Sequence, residues 1–229
     1  MDETERLSAL VGDIYDAALD PTLWVDVLGK TKGFVGGQAA ALAWKDAVTK
    51  RGDTYYDDDG LKPYYRRLYF DKYIKMDPCT TGQFFADIGE PVATEDLIPY
   101  GEFVQTRLYK EWARPQGLVD AALALLEKSA TNMSFLALFR HERHGLIDDE
   151  ARRRMRLVVP HFRRAVLIGK VLDLQKTEAA SLADTLDGIS AGMFLIDVSG
   201  HIVHANAAGD MILSSETKCN TLADLISAG

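Results

Sequence analysis

Residues 147–188 constrain the fold of this chain more than any other stretch. Asp148 is a candidate N-cap, and Asp149 and Glu150 place negative charge on the first turn, where the helix dipole favours it. Pro160 lies inside the run and predicts a kink, with the helix continuing beyond it. A helix of about 40 residues is about 60 Å long, which exceeds what a small domain needs for its own core. The stretch therefore predicts a long helix that connects two domains.

The apolar residues of this helix predict a contact with a second copy of the chain. They recur in alternating steps of four and three, which is the spacing of a coiled-coil seam. We expect dimer contacts at six of them: Met155, Val158, Phe162, Ala165, Gly169 and Leu172. An ordinary core helix followed by a linker is the alternative interpretation of the same pattern.

Composition limits the classes of protein to which the chain can belong. It has 229 residues, enough for one large or two ordinary domains, with 47% hydrophobic and 26% charged residues, as in soluble globular proteins. A net charge of -8 argues against binding of nucleic acid or an anionic membrane by this chain alone. Cys79 and Cys219 are far apart and form no disulfide pattern, which favours a reducing, cytoplasmic location.

The order of periodic segments before residue 147 predicts an α+β fold. Residues 3–19 have one apolar helical face. Residues 38–44 and 52–56 are strand-like and form one predicted hairpin, and residues 118–127 and 133–141 form a clearer one. Helices interleaved with hairpins indicate an antiparallel sheet flanked by helices. Such a sheet can leave a concave pocket on one face.

An aromatic-rich helix is the best candidate for the wall of that pocket. Tyr65, Tyr69 and Tyr73 recur every four positions and end at the pair Asp77-Pro78. Phenol rings offer flat apolar area with a polar tip, and Asp77 can accept a hydrogen bond from a ligand. Trp112 is a further candidate for the pocket wall. Plain core packing explains the same spacing, and Asp77 can equally hold the turn before Pro78.

Enzyme motifs are missing from the sequence. It contains no P-loop, no G-x-S-x-G elbow and no H-E-x-x-H zinc motif. His141 and His144 lack further cysteine or histidine ligands nearby, so they make a weak metal site. We therefore predict no catalytic residues, no metal and no cofactor.

Near the C-terminus, residues 192–213 (G-M-F-L-I-D-V-S-G-H-I-V-H-A-N-A-A-G-D-M-I-L) resemble the opening of a PAS sensor domain. Such domains begin with a hairpin whose second strand runs into an Asn that caps the next helix, here Asn206. The chain stops before such a domain can be complete. The predicted domains are a sensor at 1–147, a signalling and dimerisation helix at 148–188, and a truncated PAS-like start at 189–229.

Three features together resemble the sensory half of LuxR-type helix-turn-helix transcription regulators. They are the N-terminal run Leu7–Leu28, the tyrosine helix ending in Asp77-Pro78, and the run V-V-P-H-F-R-R-A at residues 158–165. The resemblance implies a GAF-like or autoinducer-binding-like first domain that binds a small molecule. It also implies a homodimer, and contact with DNA only through a C-terminal domain that this chain lacks.

One departure from that family's pattern bears on the ligand. In the quorum-sensing branch, a Trp and a Tyr upstream of the Asp-Pro pair, and a Trp beyond it, hold an acyl-homoserine lactone. This chain keeps Tyr73, Asp77 and Pro78, but Tyr64 or Tyr65 occupies the upstream Trp position. We therefore expect a different small molecule. Other interpretations are a sensor with a kinase or cyclic-nucleotide enzyme as output, a ligand-free interaction module, and a small-molecule enzyme.

Overall fold

The computed structural model describes residues 2–215, which contain eight α-helices and seven strands. Contacts divide the chain into two units, Met1–Gly169 and Lys170–Gly229. In the described residues, no helix is both long enough and apolar enough to cross a membrane. The helices are α1 (Glu3–Leu19), α2 (Trp24–Val35), α3 (Pro63–Asp71), α4 (Thr80–Phe85), α5 (Thr94–Leu97), α6 (Tyr100–Phe103), α7 (Asp149–Asp187) and α8 (Ala207–Ser215). The strands are β1 (Ala39–Asp46), β2 (Arg51–Asp57), β3 (Pro91–Ala93), β4 (Leu118–Lys128), β5 (Asn132–His141), β6 (Phe194–Ile196) and β7 (Ile202–Ala205).

A five-stranded antiparallel sheet organises the first unit, in the order β2-β1-β5-β4-β3. It confirms the predicted α+β class and both predicted hairpins. The central pair, β1 and β5, runs without a register shift from Ala39 opposite Phe139 to Asp46 opposite Asn132. The short edge strand β3 was not predicted, because three residues are too few to show an alternating pattern.

One face of the sheet carries the main core. Because side chains alternate across a strand, Leu42 of β1 and Leu136 and Leu138 of β5 point to this face. Helices α1, α2 and the first part of α7 pack against them. Trp24 of α2 stacks on Phe162 of α7, with ring centroids 5.6 Å apart. Helix α7 is therefore part of the wall of this domain.

The predicted long helix is confirmed as α7. The Asp148 carboxylate accepts from the backbone N–H of Ala151 at 2.7 Å and from the Arg140 guanidinium at 2.7 Å, so it caps the helix as expected. The helix continues through Pro160.

The structure corrects the prediction of a dimer seam at four of its six residues. Met155, Val158, Phe162 and Ala165 are all 0% exposed and lie in the core of the first unit. Side chains that pack against α1, α2 and the sheet cannot also face a second chain. At these four positions the spacing of four and three therefore reflects packing in the core of one chain. Gly169 and Leu172 are partly exposed to solvent. The division between the two units lies within α7, at Gly169 and Lys170.

The predicted tyrosine helix is shorter than the spacing suggested. Helix α3 ends at Asp71, and a separate 3-10 turn holds Tyr73–Met76. The chain between Leu97 and Trp112 likewise forms short elements, α6 and a π-helical turn at Tyr109–Ala113. Aromatic spacing alone overestimated the helix length because the same rings pack in a cluster formed by several short segments.

The second unit contains the hairpin β6-β7 and helix α8. The Asn206 side chain is fully buried, and its oxygen accepts from the N–H groups of Gly209 at 2.9 Å and Met193 at 2.8 Å. Its amide nitrogen donates to the carbonyl of Leu186, at the end of α7. The Asp187 carboxylate accepts from the first N–H of α8, that of Ala207. The predicted capping role of Asn206 is therefore confirmed, whereas residues 216–229 of the predicted PAS-like segment lie outside the described residues.

Candidate ligand-binding site

A cavity of about 120 Å³ lies on the face of the sheet opposite α7. Helices α3 to α6 and the turns between them cover this face. One water molecule needs roughly 10–15 Å³ measured in the same way, so the space accommodates a small organic molecule. Side chains that line it include Ala41, Ala43, Lys45, Arg66, Tyr69, Asp77, Cys79, Gln83, Thr94, Leu97, Trp112, Asp120, Ala121, Leu123, Phe135, Ala137 and Phe139.

Small side chains on the sheet leave this space open. Ala41 and Ala43 of β1, Ala121 of β4 and Ala137 of β5 all line the cavity. Their neighbours on the opposite face include Leu42 and leucines of β5, which fill the main core. The sheet therefore has a bulky side that packs against helices and a shallow side that accommodates other atoms.

A buried polar cluster lies at one end of the cavity. Lys45 and Asp77 are 4% and 5% exposed, and the Lys45 ammonium donates to Asp77 Oδ2 at 2.9 Å. The Tyr69 hydroxyl donates to the same oxygen at 2.6 Å, and the backbone N–H of Cys79 donates to Oδ1 at 2.9 Å. The Lys45 ammonium also donates to Gln83 Oε1 at 3.1 Å. Three separate segments, β1, α3 and the turn before α4, are thus held together at one carboxylate.

The cluster has a definite charge state at neutral pH. Burial opposes ionisation of Asp77, but the charge of Lys45 and the hydrogen bonds from Lys45, Tyr69 and Cys79 outweigh it and hold the Asp77 pKa below its ordinary value. Burial, together with the neighbouring Asp77 charge, raises the pKa of the Cys79 thiol to about 12 and that of Tyr69 well above its usual range. The cluster is therefore an ion pair with a neutral thiol and a neutral phenol.

Aromatic rings line the space beside this cluster. The Lys45 ammonium lies 5.1 Å from the ring centroid of Tyr69 and 5.4 Å from that of Phe135. Trp112 packs 5.2 Å from Tyr69 and 6.0 Å from Phe139, and its indole N–H donates to the backbone carbonyl of Tyr65. The wall is therefore apolar except at its ion pairs and a few hydroxyl and amide groups.

A second ion pair lies at the other end of β1. Asp57 of β2 pairs with Arg66 of α3, and Asp57 is the register partner of Ala41. Ala41 and Lys45 are four residues apart, which corresponds to about 13 Å along a strand. The Arg66 side chain is 32% exposed, so this end lies nearer to solvent than the Lys45 end.

Asp120 connects the cavity wall to the start of α7. Its Oδ1 accepts from the N–H groups of Thr94 at 3.3 Å and Ala121 at 2.8 Å. Its Oδ2 accepts from the N–H of Ile147 at 2.8 Å, directly before the Asp148 cap. Arg152 in the first turns of α7 bonds to Asp96 of α5 at 2.5 Å. A change at this wall can therefore reach the N-terminus of α7 through a few hydrogen bonds.

The structure brings together three of the five predicted ligand-site residues: Tyr69, Asp77 and Trp112 line the cavity. Tyr73 instead packs in an aromatic cluster at 2% exposure, and its hydroxyl donates to Glu111 at 2.7 Å. Tyr65 packs beside the same cluster, outside the cavity lining. Tyr65 and Tyr73 therefore do not line the cavity with Tyr69. Helix α3 ends between Tyr69 and Tyr73, and Tyr65 packs against the aromatic cluster.

Lys45 is the main residue that the sequence analysis missed. The predicted first strand, residues 38–44, stops one position before it. The structure continues β1 to Asp46, so Lys45 alternates in step with Ala41 and Ala43 and points into the cavity. The strand period of two, continued from Ala41 and Ala43 to the next position on the same face, identifies Lys45.

Comparison with known proteins gives matches at the level of structure. No protein-family model matches the sequence, and no significant match is found among curated proteins. The VqsR LBD domain from Pseudomonas aeruginosa superposes with a TM-score of 0.57 at 13% identity, over 71% of this chain and 94% of that one. The N-acylhomoserine lactone dependent LuxR family transcription factor CepR2 from Burkholderia cenocepacia gives a TM-score of 0.52 at 14% identity, over 69% of this chain and 91% of that one. At such identities the likeness is one of fold, and the first unit of this chain shares the α+β fold of these two proteins.

Proposed function

We propose that this chain is the small-molecule-responsive, dimerising sensory region of a LuxR-type transcription regulator. The observation that carries the proposal is the cavity, with its alanine floor and its buried Lys45–Asp77 pair at one end. A chain selected only for stability has little reason to keep a buried ion pair beside unfilled space, because apolar packing does as well or better.

The fold comparisons support the same proposal. CepR2 is described by its dependence on an N-acylhomoserine lactone and as a LuxR family transcription factor. In the present chain Asp77 already accepts from Lys45, Tyr69 and the Cys79 N–H. Only one lone-pair site, on Oδ1 beside the Cys79 N–H, is then left for an amide N–H of a ligand. This arrangement supports the expectation that the ligand is not an acyl-homoserine lactone.

Helix α7 is the proposed route of the signal. In the first unit its side chains form part of the core, and Asp120 of the cavity wall bonds to Ile147 just before it. In the second unit its last residues bond to Asn206 and Ala207. A ligand that binds one arrangement of the cavity wall more tightly than another shifts the equilibrium of the helix start. DNA binding by an attached helix-turn-helix domain, the absence of catalysis and a cytoplasmic location remain predictions.

Filling the cavity tests the binding function. Replacing Ala137 by Phe places a ring over the sheet within the lining. We expect a small molecule that copurifies with the wild-type protein, detected by mass spectrometry of an organic extract, to be absent from A137F. Ala179→Phe, on an exposed position of α7, serves as the control and should retain it. Loss from both variants, or retention by A137F with an unchanged melting temperature, would contradict binding in this cavity.

We propose that the dimer contact is formed by an exposed part of α7, because four of the predicted seam residues are buried in the core. Leu167, Val171 and Leu174 are 42%, 56% and 59% exposed, and their steps of four and three match a coiled-coil seam. We expect the double substitution Val171→Glu and Leu174→Glu to convert a dimer to a monomer in size-exclusion chromatography with light scattering, because like charges would meet at the seam. Lys176→Glu, exposed on the same helix, should leave the dimer intact. A wild-type monomer at micromolar concentration would disprove the dimer.

A further inference from the structure

Lys45 has an unused hydrogen-bond donor at the cavity. An ammonium group carries three N–H donors. Two of those of Lys45 are accounted for, by Asp77 Oδ2 and Gln83 Oε1. Across residues 2–215 nothing else accepts from Lys45, whose neighbouring rings of Tyr69 and Phe135 supply cation–π attraction and no lone pair. A donor that is buried and unused costs free energy until an acceptor reaches it.

Asp77, by contrast, has little capacity left. Its two oxygens accept three hydrogen bonds, from the Lys45 ammonium, the Tyr69 hydroxyl and the Cys79 N–H. The cluster therefore offers a ligand a charged donor, while of the roughly four lone-pair sites of a carboxylate only one, on Oδ1, stays open. A ligand that brings a lone pair can accept from the ammonium, whereas a ligand N–H can reach only the remaining site on Oδ1, beside the Cys79 N–H.

The charges around the cavity indicate that this ligand is uncharged. Lys45 pairs with Asp77, Arg66 with Asp57, and Asp58 with Lys32. Asp120 is held by three backbone N–H groups. An anionic group brought into this space would lose its hydration without gaining an unpaired cation among the described lining residues, and a cationic group at the Lys45 end would face the ammonium.

The shape of the lining indicates an apolar body. Between the Lys45 end and the Asp57 end, about 13 Å apart along the strand, the sheet presents Ala41 and Ala43. Phe135 and Trp112 supply flat walls. Such a slot fits a ring or short chain, with its polar atom at the closed end.

We propose that the cavity takes an uncharged, mostly apolar molecule with a carbonyl-type acceptor oxygen, and that Lys45 binds this oxygen. This inference rests on the proposed function and specifies its ligand class. The bound carbonyl completes the set of acceptors around the ammonium while the Lys45–Asp77 pair stays intact. Selection among apolar molecules then depends on the acceptor, not on a group that donates to Asp77.

Three probes of similar shape test this inference on the full chain. Benzylacetone carries a ketone, butylbenzene has the same carbon skeleton without the oxygen, and hydrocinnamate carries a carboxylate. Isothermal titration calorimetry should give a dissociation constant for benzylacetone at least about tenfold lower than that for butylbenzene, as expected for one hydrogen bond to a charged donor. Hydrocinnamate should bind more weakly than benzylacetone. Two results with the wild-type protein would overturn the inference. One is equal affinity for benzylacetone and butylbenzene, and the other is higher affinity for hydrocinnamate than for benzylacetone.

A matched pair of variants locates the effect. Lys45→Met combined with Asp77→Asn removes both charges at similar volume, and it should retain butylbenzene binding within about threefold while losing the preference for the ketone. Lys72→Met, on a lysine that is 43% exposed and outside the cavity lining, should keep the wild-type preference. A ketone preference that survives in the double variant would overturn the role of Lys45. If no probe binds the wild type, the ligand class is wrong, whereas a copurified molecule lost from A137F would still support the proposed function.

Discussion

Substitution of Lys45 by Met alone is expected to lower the free energy of unfolding by about 3–5 kcal/mol. The change leaves Asp77, at 5% exposure, as a buried carboxylate without its cation. If Asp77 stays ionised, its buried charge destabilises the folded state through desolvation. If Asp77 takes up a proton instead, the folded state loses the hydrogen bonds to an ionised carboxylate. Urea denaturation followed by circular dichroism measures the loss.

The double variant K45M/D77N is the decisive comparison for this first prediction. It should recover much of the lost stability, because removing both charges leaves no unpaired ion. Lys72→Met should remain within about 1 kcal/mol of wild type, since its ion pair with Glu111 is exposed. A single K45M variant as stable as K72M would mean that the buried pair does not exist in solution.

Replacement of Phe162 by Ala should lower the free energy of unfolding by about 3–5 kcal/mol. Phe162 is 0% exposed, and its ring stacks on Trp24 within the core formed by α2, α7 and the sheet. The substitution removes these contacts and leaves a cavity that the surrounding helices fill incompletely. Because the contacts are intramolecular, the loss measured by urea denaturation should not depend on protein concentration.

This second prediction distinguishes the core interpretation of α7 from the seam interpretation. If Phe162 lay in a dimer seam, F162A would shift the monomer–dimer equilibrium, and its effect would grow as the protein is diluted. Leu174→Ala is the control, because Leu174 is 59% exposed and its loss should change the unfolding free energy by about 0.5 kcal/mol or less in the monomer. If the loss of unfolding free energy in F162A depended on protein concentration, the result would support the interpretation of Phe162 as a dimer contact.

The Lys45–Asp77 pair is a buried feature that stability alone does not explain. Buried ion pairs add little net stability over well-packed apolar residues, although breaking one is costly. Here the pair lies at the closed end of a cavity and is held by Tyr69 and Gln83. In the proposed function, the pair and Gln83 hold the Lys45 ammonium at the cavity, where it can donate to a ligand.

Much of the architecture followed from local patterns. Short apolar runs of strand length, joined by turns, predicted the hairpins that became β1-β2 and β4-β5. Asp148 and Asn206 predicted the starts of α7 and α8. These features depend on interactions within a few residues, so the sequence is sufficient to find them. Tyr69, Asp77 and Trp112 were also found, as aromatic and acidic residues near a turn.

Other features depend on contacts between distant segments. A period of four and three is the same for a helix that packs on its own sheet and for one that packs on a copy, so the sequence left α7 ambiguous. Burial of Met155 and Phe162 against α1, α2 and the sheet resolved it. Likewise, Lys45 and Asp77 are 32 residues apart, and only the folded sheet brings them to 2.9 Å.

The sequence by itself determined the longer elements of this protein: helices α1 and α7, the two hairpins of the first unit, the caps at Asp148 and Asn206, and the acidic, aromatic character of the region around Asp77. The tertiary structure alone decided which face of α7 is buried, which side of the sheet is left open, and which cation Asp77 pairs with. The physical reason is that periodicity and capping are set by neighbours along the chain, whereas burial and charge pairing are set by whichever distant segments fill the space around a side chain.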